Sequence, residues 1–115
     1  MSNIPDFTKS ELDVVNTRLK KRYGVEIEIQ LGDSEIRLEP DHETLTSCPV
    51  LIWEHKEASF AILKAGIDRY RCQFYYRNVK QYGTGTYEYN NLVECITSLL
   101  HTQADNILKE EKLIP

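Results

Sequence analysis

The segment SFAILKAGIDRYRCQFYYR, residues 59–77, decides the fold because it contains two strand patterns on either side of a turn. Residues Phe60 to Leu63 are apolar at consecutive positions, which is typical of a strand that is buried on both faces. Gly66 and Asp68 supply turn residues. From Arg69 to about Val79 the pattern alternates, with Tyr70, Cys72, Phe74 and Tyr76 on one face and Arg69, Arg71, Gln73, Tyr75 and Arg77 on the other. Consecutive strands with a short connection pair antiparallel, so the segment predicts an antiparallel sheet.

A helix is predicted at each end of the chain. Thr8 followed by Glu11 has the spacing of a capping box, and apolar residues then recur at three- and four-residue steps until Gly24 ends the helix. Asn91 and Glu94 repeat the same spacing before a second, wider apolar stripe. Both stripes need an apolar surface to pack against, and strands with one wet face offer only one such surface.

Three further strands complete the predicted sheet. Val25 to Leu31 and Ile36 to Leu38 alternate around Gly32-Asp33-Ser34, which predicts a hairpin, and Val50 to His55 forms the next strand. A short segment, Thr86 to Tyr89, is a candidate sixth strand. The fold class is therefore α+β. We expect residues 1–115 to form one domain, with a meander-like antiparallel sheet of five or six strands and the two terminal helices side by side on one of its faces.

The composition bounds the function. The net charge of −4 argues against a nucleic-acid partner, and no apolar run approaches the roughly 20 residues that span a bilayer. The three cysteines are an odd number, which favours reduced thiols and a cytoplasmic protein. No pair of cysteines or histidines has the spacing of a zinc site, and no catalytic constellation stands out. We therefore expect no metal, no cofactor and no catalytic residues.

The outward face of the strand from Arg69 to Val79 is the strongest candidate for binding. Arg69, Arg71, Tyr75 and Arg77 would form a row there, and Tyr and Arg are enriched in interface hot spots. The simplest structural role for these arginines is pairing across the sheet with the acidic residues of the first strands, Glu26, Glu28, Glu35 and Glu39. Trp53 joins the binding face in one register of its strand and the core in the other.

Three functions follow from these patterns. The first is a non-enzymatic interaction module, acting as an adaptor, a small chaperone or a regulator. It would be homodimeric or bound to another protein and would use Trp53, Arg69, Arg71, Tyr75 and Arg77. The second is a ligand-binding or catalytic domain with a pocket between sheet and helices, lined by Tyr70, Cys72 and Tyr76. The third, which the acidic charge disfavours, is single-stranded nucleic-acid binding through the Arg/Tyr face.

Overall fold

The computed structural model describes residues 4–38, 43–56, 58–76 and 80–113. These residues form two helices and an antiparallel sheet, which confirms the α+β class. The elements in chain order are α1 (Lys9–Tyr23), β1 (Gln30–Ile36), β2 (Thr46–His55), β3 (Ala58–Gly66), β4 (Arg69–Tyr76), β5 (Lys80–Tyr82) and α2 (Leu92–Leu113).

Every strand of the sheet lies beside its neighbour in sequence. The strand order is β1-β2-β3-β4-β5, and each pair is antiparallel. Beyond the three-residue β5, the outer edge of β4 also pairs with Tyr89, which exchanges two backbone hydrogen bonds with Tyr70 at 2.7 and 2.8 Å. At the opposite edge lies β1, a strand of seven residues.

The predicted hairpin between residues 25 and 38 is wrong. Gly32, Asp33 and Ser34 do not turn; they lie in the middle of β1 and pair with Val50, Pro49 and Cys48. The ten residues of β2 offer a long pairing partner, and a ladder of seven pairs outweighs a local turn preference. Ile27 and Ile29 still pack against the core, but from an extended segment that precedes the strand.

The capping signals of α1 are confirmed. The Thr8 hydroxyl accepts a hydrogen bond from the Glu11 backbone N–H at 3.1 Å, and the Glu11 carboxylate accepts one from the Thr8 N–H at 2.8 Å. Gly24 ends the helix with φ of 76°, a conformation that glycine adopts without steric cost.

The core contains residues of both helices and of the three central strands. Alternation along those strands separates a core face, which includes Leu51, Trp53, Phe60, Ile62 and Phe74, from a second face. Val15 and Leu19 of α1 and Cys95, Ile96 and Leu99 of α2 belong to the same core cluster. The second face is formed by the intervening residues, among them Val50, Ile52, Ala61, Leu63, Gln73 and Tyr75.

A buried ionic network fastens the start of α1 to the sheet. Lys64 of β3 is only 3% exposed, and its ammonium group donates to Glu11 at 2.7 Å and to the carbonyl of Asp6 at 3.1 Å. The second oxygen of the Glu11 carboxylate accepts a hydrogen bond from the Tyr70 hydroxyl. Burial raises the pKa of Glu11, but the hydrogen bonds from Lys64, Tyr70 and Thr8 together lower it by more than burial raises it. The pKa of Glu11 therefore lies below its usual value.

Within the described part of the chain, neither helix combines the length and the apolar character that a membrane span requires.

Candidate functional site

The second face of the sheet carries a hollow of about 510 Å³, which we call the face hollow. Its floor is apolar, with Val50 and Ile52 from β2 and Ala61 and Leu63 from β3. One rim belongs to β1 and the residue that follows it, and the other to β4; the rim residues are Asp33, Ser34, Ile36 and Arg37 on one side and Arg71, Cys72, Gln73 and Tyr75 on the other.

At one end of the face hollow, two of the predicted arginines form an ionic cluster. Glu88 accepts hydrogen bonds from Arg69 at 3.0 and 3.1 Å and from Arg71 at 3.2 Å. Arg71 also donates to the backbone carbonyl of Leu38 at 3.0 Å, and its guanidinium lies 4.3 Å from the centre of the Tyr87 ring. The Arg69 hydrogen bond is the main cause that lowers the pKa of Glu88, against the opposing effect of burial.

This cluster corrects the predicted pairing of the arginine row. The ion pairs described for Arg69 and Arg71 go to Glu88, not to Glu26, Glu28 or Glu35. Glu88 is brought to these arginines by the bridge between Tyr70 and Tyr89, which lays residue 88 beside β4. Arg77 and Glu39 lie outside the described residues. Arg71 and Tyr75 do line one surface, as predicted, but Arg71 forms an ion pair with Glu88 of the same chain.

Trp53 does not belong to the second face of the sheet, where the sequence offered it as a candidate binding residue. Its side chain is 1% exposed and stacks on Phe60, with ring centres 5.0 Å apart and planes 8° from parallel. The register that places Val50 and Ile52 on the second face therefore directs Trp53 into the core. Among the described residues, its indole N–H and the Tyr23 hydroxyl are buried without a well-formed hydrogen bond.

None of the cavities described for residues 4–38, 43–56, 58–76 and 80–113 is lined by Tyr70, Cys72 and Tyr76 together, as the prediction required. These side chains lie on the core face, and each contacts a helix: Tyr70 donates to Glu11, the Cys72 thiol lies 3.8 Å from the Cys95 carbonyl, and Tyr76 accepts from Gln103 at 3.1 Å. Of the three residues, Tyr76 also borders a cleft on the core-face side, described next.

A second depression, which we call the end cleft, lies where β2, β3 and β4 approach the helices at one end of the sheet. It measures about 800 Å³ and is lined by Arg22, Tyr23, His55, Lys56, Ala58, Tyr76 and Gln103. The rings of Tyr23 and His55 stack with centres 3.9 Å apart and planes 22° from parallel. Burial lowers the pKa of His55, and the nearby cations Lys56 and Arg22 lower it further.

The sequence contained one signal for the end cleft. Gln103 follows Ile96 and Leu99 along the apolar stripe of α2, where an amide is out of place. The structure buries Gln103 to 7% exposure and gives it a hydroxyl partner. The sequence gives no comparable signal for His55 and Lys56, because nothing in it places them beside Tyr23 and Gln103.

The thiols and imidazoles of the described residues are not arranged as a metal centre. Cys48, Cys72 and Cys95 are free, and no three ligand-type side chains gather among the residues described. Cys72 and Cys95 contact each other: their hydrogen bond lowers the pKa of the Cys72 thiol and raises that of Cys95. His101 lies 3.3 Å from Asp105 on an exposed turn of α2.

Comparison of the chain with protein-family models, with curated proteins and with solved structures found no match.

Proposed function

We propose that the chain is a non-enzymatic protein-interaction module that forms a homodimer through the second face of its sheet. The observation that carries this proposal is the face hollow, an apolar floor half open to solvent on the side of the sheet away from the core. We infer that the two helices occupy the core face together, since their buried residues share one cluster with Leu51, Trp53 and Phe60. The second face is then the side of the sheet that is left open for a partner.

A second copy of the chain suits this surface because the rim carries both charges. Asp33 and Arg37 stand on the β1 side, and Tyr75 stands on the β4 side as an aromatic anchor. A twofold interface requires a surface that complements itself, with apolar residues in the middle and opposite charges at the edge. Val50, Ile52 and Leu63 are only partly buried in the single chain, so association removes further apolar area from water.

The size of the patch sets the expected strength. Four strands at a spacing of about 4.8 Å, and three same-face positions along each, give about 400 Å² per copy. Stable interfaces bury about 800 Å² per partner, so we expect a weak, concentration-dependent dimer with a dissociation constant of about 1 to 100 μM.

The imidazole and the thiols support two other parts of the proposal, that the module is non-enzymatic and that it is cytoplasmic. His55 stacks on Tyr23, and the thiols of Cys72 and Cys95 contact each other, so neither arrangement pairs a nucleophile with a base. Three free thiols, two of them in contact, favour a reducing compartment such as the cytoplasm.

Sedimentation velocity over a concentration series tests the dimer. We expect the weight-average mass to rise with concentration for the natural chain, and to stay at that of the monomer for Ile52→Lys, which places a charge on the apolar floor. The matched control is Ile67→Lys, because Ile67 is 76% exposed in the turn between β3 and β4 and lies outside the hollow. Thermal melts of both variants establish that the fold is retained.

Two results would overturn the proposal. One is a natural chain that remains monomeric up to about 1 mM, well above the expected dissociation constant. The other is a dimer that Ile52→Lys and Ile67→Lys weaken equally, which would place the contact elsewhere.

A further inference from the structure

The end cleft has a composition that differs from that of the face hollow. Its lining residues come from α1, β2, the turn between β2 and β3, β3, β4 and α2, so six parts of the fold meet around it. At about 800 Å³ it has room for a small organic molecule. Apart from Ala58, every described residue that lines it carries a polar or ionisable group.

The charged groups of the end cleft are both cations. Arg22, in the last turn of α1, and Lys56, at the tip of the β2–β3 turn, are exposed at its edge. Neither makes an ion pair with another described residue, and none of the described lining residues is acidic. Two cations that have no ion-pair partner among the described residues, placed at the edge of a concave surface, attract an anion. This is notable in a chain with a net charge of −4.

Lys56 is held in a conformation that side chains seldom adopt. Its φ is +57°, in the left-handed region where glycine, asparagine and aspartate are the usual residues. Glycine at this position would relieve the steric cost, yet the chain carries a lysine, which keeps a cation at the cleft.

The interior of the end cleft is built from hydrogen-bonding groups. Gln103 is buried, and burying an amide is costly unless its groups are hydrogen-bonded. Among the described residues its side chain makes one hydrogen bond, the one donated to the Tyr76 hydroxyl. A leucine there would continue the apolar stripe of α2. The amide therefore leaves acceptor and donor capacity beside the cleft that a ligand can use.

The side wall of the end cleft is aromatic. The stacked pair of Tyr23 and His55 presents flat ring surface, and the lowered pKa of His55 keeps its imidazole neutral near pH 7. From the two cations, the buried amide and the aromatic pair, we propose that the end cleft is a binding site for a small aromatic anion, a carboxylate or a phosphate ester attached to a planar ring. This site is independent of the face hollow and of dimer formation.

Spectra of ¹⁵N-labelled protein at low ionic strength test the site with defined probes. Adenosine 5′-monophosphate and benzoate are the aromatic anions, and these two probes distinguish a phosphate ester from a carboxylate. Adenosine and inorganic phosphate each carry only half of the proposed features. We expect saturable shifts for at least one aromatic anion at the amides of Arg22, His55, Lys56 and Tyr76 and at the Gln103 side-chain amide, with at least fivefold weaker binding of adenosine and of inorganic phosphate.

Variants then connect the binding to the cleft residues. Lys56→Gln should weaken the anion about fivefold, the effect of one exposed charge, whereas Lys9→Gln in the first turn of α1 should leave the affinity unchanged. Gln103→Leu should weaken the anion and the neutral ring alike, because it removes a hydrogen-bonding group and no charge. A melting temperature measured for each variant shows that the fold is intact.

Three results would overturn the site. The first is that neither aromatic anion gives saturable shifts up to about 10 mM, because a dissociation constant above that concentration does not indicate a specific site. The second is that the shifts map to the face hollow around Arg71 and Tyr75. The third is equal binding by the Lys56→Gln and Lys9→Gln variants, which would leave only non-specific attraction of an anion.

Discussion

Replacing Lys64 with methionine should lower the free energy of unfolding by about 3 kcal/mol. The ammonium group is buried and hydrogen-bonds to Glu11 and to the Asp6 carbonyl, so its loss leaves the partly buried Glu11 carboxylate without its cation. Removing one partner of a buried ion pair costs about 3 to 5 kcal/mol, and the lower end applies because Glu11 keeps its hydrogen bonds from Tyr70 and Thr8. Methionine preserves most of the side-chain volume, which limits the cavity contribution.

Urea denaturation at pH 7 gives the free energy directly, and a thermal melt should show a decrease of about 12 °C for a domain of this size. Lys9→Met is the matched control, since Lys9 is exposed in the first turn of α1; we expect a change below about 0.5 kcal/mol. A double variant that also replaces Glu11 with leucine should cost less than the sum of the two single changes. A loss below about 1 kcal/mol for Lys64→Met would refute the role given to the buried pair.

Three further predictions concern single side chains. Because its pKa is lowered in the folded state, Glu88 contributes stability that is present above pH 4.5, its ordinary pKa, and is lost as the pH falls through the lowered pKa. In a pH series of urea midpoints, Glu88→Gln should therefore lose less stability in acid than the natural chain. His55 also has a lowered pKa, so stability should fall as the pH drops below 6.5, and His55→Phe, which keeps a ring against Tyr23, should remove that slope in the same series; an unchanged slope would contradict the assignment. Tyr23→Phe removes a buried hydroxyl that has no well-formed hydrogen bond and should leave the free energy of unfolding unchanged or raise it by up to about 1 kcal/mol, whereas a loss above about 1 kcal/mol would indicate a hydrogen bond in solution.

The helices could be predicted because their signals are local. The Thr8 and Glu11 side chains act within one turn, and Gly24 ends the helix by its own conformation. The hairpin at Gly32 could not be predicted correctly, because the choice between a turn and a straight strand depended on β2, which begins 14 residues later. Turn chemistry states what a residue tolerates, and the available partner strand decides which conformation it adopts.

The candidate surfaces show the same difference between local patterns, which could be predicted, and contacts that depend on distant parts of the chain. Alternation along β4 correctly placed Arg71 and Tyr75 on one face, since the two-residue period is a property of any strand. It could not identify Glu88 as the partner of the arginines, because that contact depends on a bridge between Tyr70 and Tyr89 across a loop. The position of Trp53 depended on a register that its own strand left open, and only the packing of Phe60 against it decides the question.

The order of the elements has a consequence for a chain that is made from its amino terminus. Each strand from β2 to β5 pairs with the one synthesised just before it, so the sheet can grow as the chain lengthens. The buried side chains of α1, Val15 and Leu19, share their cluster with α2, which is made after every strand of the sheet. Helix α1 therefore keeps part of its apolar stripe in contact with solvent or a chaperone until α2 has left the ribosome, and a chain that stops before Leu92 exposes that part of the stripe permanently.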